Sequence, residues 1–148
     1  MYEPSIRVPL IIFDPRNKDS RETEDLVSNV DIASTILDFA GIEIPPVYQG
    51  VSLAGYTKGE NPARSRDYIL IEHLWDFEHI PPSEGIRTAE WKYFRYRNDL
   101  EHEELYDMVT DTDEIRNLAD HEQYQEVLDV LRAKTDSIIV TLEKQKLN

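Results

Sequence analysis

The chain of 148 residues contains no cysteine and only five glycines, and its 16 basic residues are outnumbered by 30 acidic ones, a formal charge of −14. Without a thiol there is no disulfide framework, no Cys-ligated zinc and no cysteine nucleophile. The shortage of Lys and Arg argues against nonspecific binding along a phosphate backbone, which requires clustered positive charge, so no nucleic-acid partner is expected. Long apolar runs are missing too. The longest, Val8 to Phe13, falls far short of the roughly 20 residues that span a bilayer and reads as a strand, so no membrane partner is expected. No signal peptide is visible at the N-terminus, and no internal repeat or low-complexity tract appears. The motif inventory is equally thin, with no Gly-rich phosphate loop, no His-Glu-x-x-His and no nucleophile elbow. What is present is a 40% hydrophobic fraction, too high for a disordered acidic tail, in a length that suits one domain or two small units.

Val8 to Phe13 is almost continuously apolar, the pattern of a strand buried on both faces of a parallel sheet. Such a strand needs neighbours. It either pairs with later strands or belongs to a larger fold that the chain enters midway. Asp14-Pro15 closes it, and a polar stretch to Asp25 follows. A short helix is predicted next, with Asp31 as N-cap, Ile32, Ala33, Ile36, Leu37 and Phe39 or Ala40 as an apolar stripe, and Gly41 as a left-handed C-cap. Glycines 50, 55 and 59 with Pro62 mark an irregular connection, which places an organisational boundary near residue 60. Beyond it, Tyr68 to Ile71 reads as a strand. Gly85–Thr88 and Trp91–Arg97 read as a hairpin turning near Ala89-Glu90, with Trp91, Tyr93 and Arg95 on one face and Lys92, Phe94 and Tyr96 on the other. Glu104–Asp107 is a further short strand, and Asp111 or Thr112 caps a helical turn through Glu114-Ile115. A final helix from about Glu122 to Glu143 carries Tyr124, Val127, Leu128, Leu131, Thr135, Ile138 and Leu142 on one face. Residues 98–148 hold 14 acids and 5 bases, so the charge is concentrated there as a solvated face.

Two clusters invite a chemical reading. Glu72-His73 at a strand end, followed by Trp75, Asp76, Phe77, Glu78 and His79, combines aromatic, carboxylate and imidazole groups. That set suits a sugar, its ring face on tryptophan and its hydroxyls on the polar groups, or it merely covers the core. Arg87, Lys92, Arg95 and Arg97 form the densest positive patch. It either receives a sulfate, phosphate or carboxylate, or pairs with neighbouring acids such as Glu90, Asp99 and Glu101. His102 and His121 lie in acidic stretches and read as solvated. Asp14, Asp25 and Asp31 are too dispersed for a metal site.

Several segments resemble type I, formylglycine-dependent sulfatases of the alkaline-phosphatase-like superfamily. Met1-Tyr2-Glu3-Pro4-Ser5-Ile6-Arg7-Val8-Pro9-Leu10-Ile11-Ile12 resembles the stretch after their late active-site lysine. Val30 to Ile42 is similar to their next helix, and Pro45-Pro46 with Gly50-Val51-Ser52-Leu53 to its usual sequel. Ile86-Arg87-Thr88, Trp91-Lys92-Tyr93, Glu104-Leu105-Tyr106-Asp107 and Asp113-Glu114 with Asn117-Leu118-Ala119 resemble the C-terminal subdomain.

The resemblance implies an α+β chain: residues 1–60 as the end of an alkaline-phosphatase-like α/β domain (strand, helix), then residues 61–148 as a small antiparallel β-sheet packed by a long C-terminal helix. It implies the C-terminal part of a sulfuric ester hydrolase acting on a sulfated small molecule or glycan, whose intact form uses calcium and a formylglycine made from Cys or Ser. Asn61-Pro62-Ala63-Arg64 has no residue that could become formylglycine, so no catalytic or metal residue carries over, and the chain alone is expected to be inactive. Substrate contact does carry over as an expectation, to Glu72, His73, Trp75, His79 and Arg87. Many relatives are periplasmic, secreted or lysosomal. The alternatives are a non-enzymatic module binding a partner or carbohydrate, or part of a related phosphodiesterase or phosphatase. Self-association through Val8–Phe13 is expected if that edge is exposed.

Overall fold

The computed structural model describes residues 1–60, 66–75 and 78–146, so Asn61-Pro62-Ala63-Arg64, Asp76 and Phe77 lie outside the described residues. The chain divides into two compact units. One joins Met1–Val8 to Tyr68–Asn148; the other is Pro9–Asp67.

The first unit is built on a four-stranded antiparallel sheet in sequence order: β1 (Ile69–His73), β2 (Ser83–Arg87), β3 (Trp91–Tyr96) and β4 (Asp99–Asp107). The alternation in Trp91–Tyr96 puts its two side-chain sets on opposite faces, as expected. Tyr93, Ile86 and Leu105 form the fully buried centre of one face and pack with Leu118, Leu128 and Leu131. Leu128 and Leu131 come from the long helix α4 (Gln125–Lys146), which a 3₁₀ turn at Glu122–Tyr124 introduces. Its apolar stripe therefore lies on the sheet, and Thr135 in that stripe is buried with its hydroxyl donated to the Leu131 carbonyl at 2.8 Å. At this face the Trp91 ring packs, tilted by 59°, against Tyr124 with centroids 5.8 Å apart.

The opposite face holds Phe94, Tyr106 and Met108. It is covered by the N-terminal residues, where α1 (Glu3–Ile6) makes a single turn and Met1 packs on the aromatic cluster. Gly85 in β2 sits against the β3 backbone, where a Cβ would fall on the Tyr93 carbonyl oxygen and the Phe94 Cα. Close strand packing there requires glycine.

Strand β4 is longer than the Glu104–Asp107 stretch read from sequence. Its extension, Asp99 to Glu103, is charged and polar apart from Leu100 and carries no apolar alternation. The predicted helical turn at Glu114-Ile115 is absent. Instead, the Asp111 carboxylate accepts the Ile115 and Arg116 amides at 3.0 and 2.9 Å. Glu114 takes a left-handed φ of 55°, a conformation that costs a non-glycine residue about 1–2 kcal/mol. A short polar side chain so placed competes successfully with the helix for backbone amides. Asn117 then ties this loop to the outer edge of β4. Its Oδ1 accepts the Leu105 and Ala119 amides, and its Nδ2 donates to the Glu103 carbonyl, all at 3.0 Å. The Leu118 amide donates to the Leu105 carbonyl at 2.8 Å beside it.

The second unit contains α2 (Val30–Phe39) and α3 (Ala54–Lys58). Two expectations fail here. Val8 to Phe13, which but for Val8 lies in this unit, forms no strand; Val8, Ile11 and Phe13 are 75%, 90% and 82% exposed, because a run without a partner strand has no ladder to join. The stripe on α2 is inverted: Asp31, Ser34 and Thr35 are buried, whereas Ile32 and Ile36 are exposed. The buried polar face is fully bonded. Asp31 is not the N-cap, a position held by Asn29. Its carboxylate, wholly buried, accepts the Ser28 amide at 2.7 Å, the Val51 amide at 2.8 Å and an Arg66 guanidinium nitrogen at 2.6 Å. Thr35 accepts the Leu53 amide at 2.9 Å, so polar groups of α2 organise the loop that follows. The C-terminus of α2 meets its expectation. Gly41 has φ +67°, the Ile42 amide reaches the Leu37 carbonyl and the Gly41 amide that of Asp38, a Schellman closure.

Candidate functional site

The strand β1 brings the first candidate cluster to one end of the sheet. The register pairs Glu72 with Glu84 and His73 with Ser83. Glu84 bonds Arg95, on the helix-covered face, so Glu72 and His73, adjacent in a pleated strand, point to opposite faces. Glu72 is exposed and His73 half-buried. Beyond the strand, Trp75 is 75% exposed, and His79 is exposed in the turn that leads to β2. The accessible groups at this end are therefore a carboxylate, an indole and an imidazole, which together provide an apolar platform and hydrogen-bonding groups.

The basic set is engaged in ion pairs, with partners other than the sequence neighbours Glu90, Asp99 and Glu101. Arg95 reaches Glu84 at 2.8 Å and Asp136 of α4 at 2.6 Å, and Arg97 lies 3.6 Å from Glu84. Across the sheet, Lys92 is completely buried between Glu114 at 2.6 Å and Glu3 at 3.1 Å, and Arg87 lies 3.3 Å from Glu3. Arg87 also donates to the Thr88 carbonyl. An ammonium removed from water stands only where carboxylates surround it.

Two carboxylates act as hubs. Glu103 accepts the Tyr93 hydroxyl and a two-nitrogen contact from Arg132 of α4 at 3.0 and 2.6 Å. Burial pushes its pKa up, but the Arg132 and Tyr93 bonds outweigh that and hold it below the usual value. Burial and the Glu103 bond raise the Tyr93 phenol. On the other face Glu104 collects the hydroxyls of Tyr2, Tyr96 and Tyr106 at 2.9, 2.6 and 2.5 Å, and burial together with that carboxylate raises all three phenols. In the second unit, the Arg16 side chain hydrogen-bonded to Asp14 holds that carboxyl down at about 2.

None of these hubs was legible in advance. Apart from the Tyr106 hydroxyl two residues from Glu104, the hydrogen-bond partners of the Glu3, Glu104 and Glu114 carboxylates lie 8 to 111 residues away, and no periodicity marks them. The only signal was their presence in segments that resemble the sulfatases.

Among the described residues no three His, Asp or Glu side chains converge as a metal-binding group, so these residues do not fit the calcium that the resemblance implies for the intact enzyme. The absence of cysteine likewise leaves no Cys precursor for formylglycine in this chain.

Residues 1–141 match the family described as N-sulphoglucosamine sulphohydrolase, C-terminal. The chain is 38% identical over 130 residues to an N-acetylglucosamine-6-O-sulfatase of Bacteroides thetaiotaomicron, a match covering 84% of this chain and 23% of that protein. A Delta 4,5-hexuronate-2-O-sulfatase of the same organism is 32% identical over 142 residues, 93% of this chain and 29% of its own. A solved structure in complex with its substrate D-glucosamine-2-N,6-O-disulfate has a TM-score of 0.68 at 30% identity, over 82% of this chain and 25% of that one. The chain thus spans about a quarter of the length of the relatives it matches.

Proposed function

We infer, for a chain that belongs to the N-sulphoglucosamine sulphohydrolase C-terminal family, the C-terminal part of sulfatases of the alkaline-phosphatase-like superfamily, that it serves the hydrolysis of sulfate esters on carbohydrate. The observation that carries this reading is the family match over residues 1–141, together with two relatives named as an N-acetylglucosamine-6-O-sulfatase and a Delta 4,5-hexuronate-2-O-sulfatase. In this reading the chain supplies substrate contacts rather than the reacting groups. Trp75 offers its exposed indole face to a sugar ring, and Glu72 or His73 with His79 bonds the hydroxyls. The pleat directs Glu72 and His73 apart, so a single sugar residue engages one of that pair. Arg87, already paired with Glu3, contributes least.

The same reading accounts for the apolar surface that the second unit leaves uncovered at Ile11, Phe13, Ile32 and Ile36. In a protein of the relatives' length, that surface packs against the catalytic region. In the isolated chain it self-associates, and a strictly monomeric sedimentation profile at high concentration would contradict this.

The test is a chimera in which this chain replaces the matched C-terminal quarter of the Bacteroides N-acetylglucosamine-6-O-sulfatase. The chimera should release sulfate from a sulfated glucosamine, and Trp75→Ala should raise KM several-fold with kcat little changed, since a stacking contact binds ground state and transition state alike. The chain by itself should not turn over a chromogenic sulfate ester with calcium added. A folded but inactive chimera, or turnover by the chain alone, overturns the reading.

A further inference from the structure

The sheet face away from α4 carries groups whose partners arrive from the far end of the chain. Lys92 is completely buried, yet among the described residues the sheet and its loops supply only Glu114 as an ion-pair partner; the second carboxylate is Glu3. Glu114 in turn accepts the Glu3 backbone amide at 2.5 Å, from a left-handed backbone conformation that aims its carboxylate between strand and segment. The Tyr2 hydroxyl donates to Glu104, and its ring stands edge-on to Phe94 and Tyr106 with centroids 5.7 and 6.2 Å away. Two aromatic rings, a carboxylate acceptor, a buried cation and an acceptor for backbone N–H thus converge on a Tyr-Glu pair. The segment adds no strand to the sheet, whose order is complete with β1 to β4.

We propose that this face is a built peptide-binding site, specific for a tyrosine followed by a glutamate, which the chain's own residues 1–7 occupy as a separable ligand. The glutamate matches the buried ammonium, and the tyrosine, 42% exposed, lies edge-on against the aromatic rings and bonds Glu104. Neither feature depends on the sulfatase reading, and the test requires no sulfatase activity. It uses the full chain carrying Tyr2→Ala and Glu3→Ala, titrated calorimetrically with the synthetic peptide Met-Tyr-Glu-Pro-Ser-Ile-Arg. Saturable one-to-one binding is expected. The unmodified chain, its site already filled, should bind at least about tenfold more weakly. The peptide carrying Glu3→Gln should also bind the variant at least about tenfold more weakly, because the buried ammonium then faces an uncharged amide. Absence of binding to a folded variant, equal binding by variant and unmodified chain, or equal affinity for the Gln peptide overturns the proposal. Should the variant be unfolded alone, excess peptide must restore its near-UV circular dichroism, and failure to do so overturns the proposal as well.

Discussion

Replacing Asn117 by alanine isolates the contribution of a single side chain to closing the sheet edge. Three hydrogen bonds disappear: two amides, of Leu105 and Ala119, lose their acceptor, and the Glu103 carbonyl loses its donor. Leu105 is wholly buried, so its stranded amide carries a desolvation penalty, whereas the Glu103 carbonyl bond is solvent-exposed and worth less. With about 1 kcal/mol for an ordinary bond and more for a buried group left unmet, the loss comes to about 2–3 kcal/mol. For a unit of this size that lowers the melting temperature by roughly 10–20 °C. Asn117→Asp keeps both acceptor functions and loses only the donor, while setting a carboxylate against the Glu103 carbonyl. It should therefore fall between the parent chain and the alanine variant. Urea and thermal unfolding of the three proteins, followed by circular dichroism, decide the matter. An alanine variant within about 0.5 kcal/mol of the parent, or an aspartate variant less stable than the alanine one, refutes the argument.

Three more outcomes are expected. Gly85→Ala should destabilise the sheet by about 3 kcal/mol or more in urea unfolding, because its methyl falls on rigid β3 backbone rather than on a movable side chain. Glu114→Gln should cost about 3–5 kcal/mol by the same measurement, since the wholly buried Lys92 keeps only Glu3, whereas neutralising Asp129 in its exposed pair with Arg132 should change little. Asp14, whose carboxyl is held at about 2 against an ordinary 3.8, contributes stability that is complete above about pH 4 and lost as the pH falls through 2. The gap between the parent chain and Asp14→Asn should therefore close over that interval, and a gap independent of pH would contradict the assignment.

What the sequence disclosed followed local periodicity. Alternation in Trp91–Tyr96 and the three- and four-residue steps of the last helix report which side of an element meets apolar neighbours of its own unit, and both were read correctly. The same logic failed on α2, where the stripe Ile32 and Ile36 is real in the sequence but stays exposed among the described residues; the interior is held by Asp31, Ser34 and Thr35 instead. Apolar pattern identifies a surface that will be covered without saying by what. Val8–Phe13 failed for the same reason. The candidate cluster could be found because aromatic and titratable residues stand together in the chain, but the pleat that separates Glu72 from His73 became visible only with the register. The Glu3, Glu104 and Glu114 hubs rest on long-range charge pairing, which has no local pattern.

The Asn117 loop has one more effect, on how the sheet can grow. A strand edge is a template for another strand. At β4 the outward Leu105 amide and carbonyl and the Glu103 carbonyl are occupied by Asn117 and Leu118, so no further strand can pair along that stretch. The other terminal strand is β1, and pairing beyond the four strands is therefore favoured on that side. Two copies joined through β1 present two β4 edges blocked at Glu103–Leu105. Head-to-tail addition, the geometry that yields filaments, needs a second receptive edge, and that blocked stretch works against it.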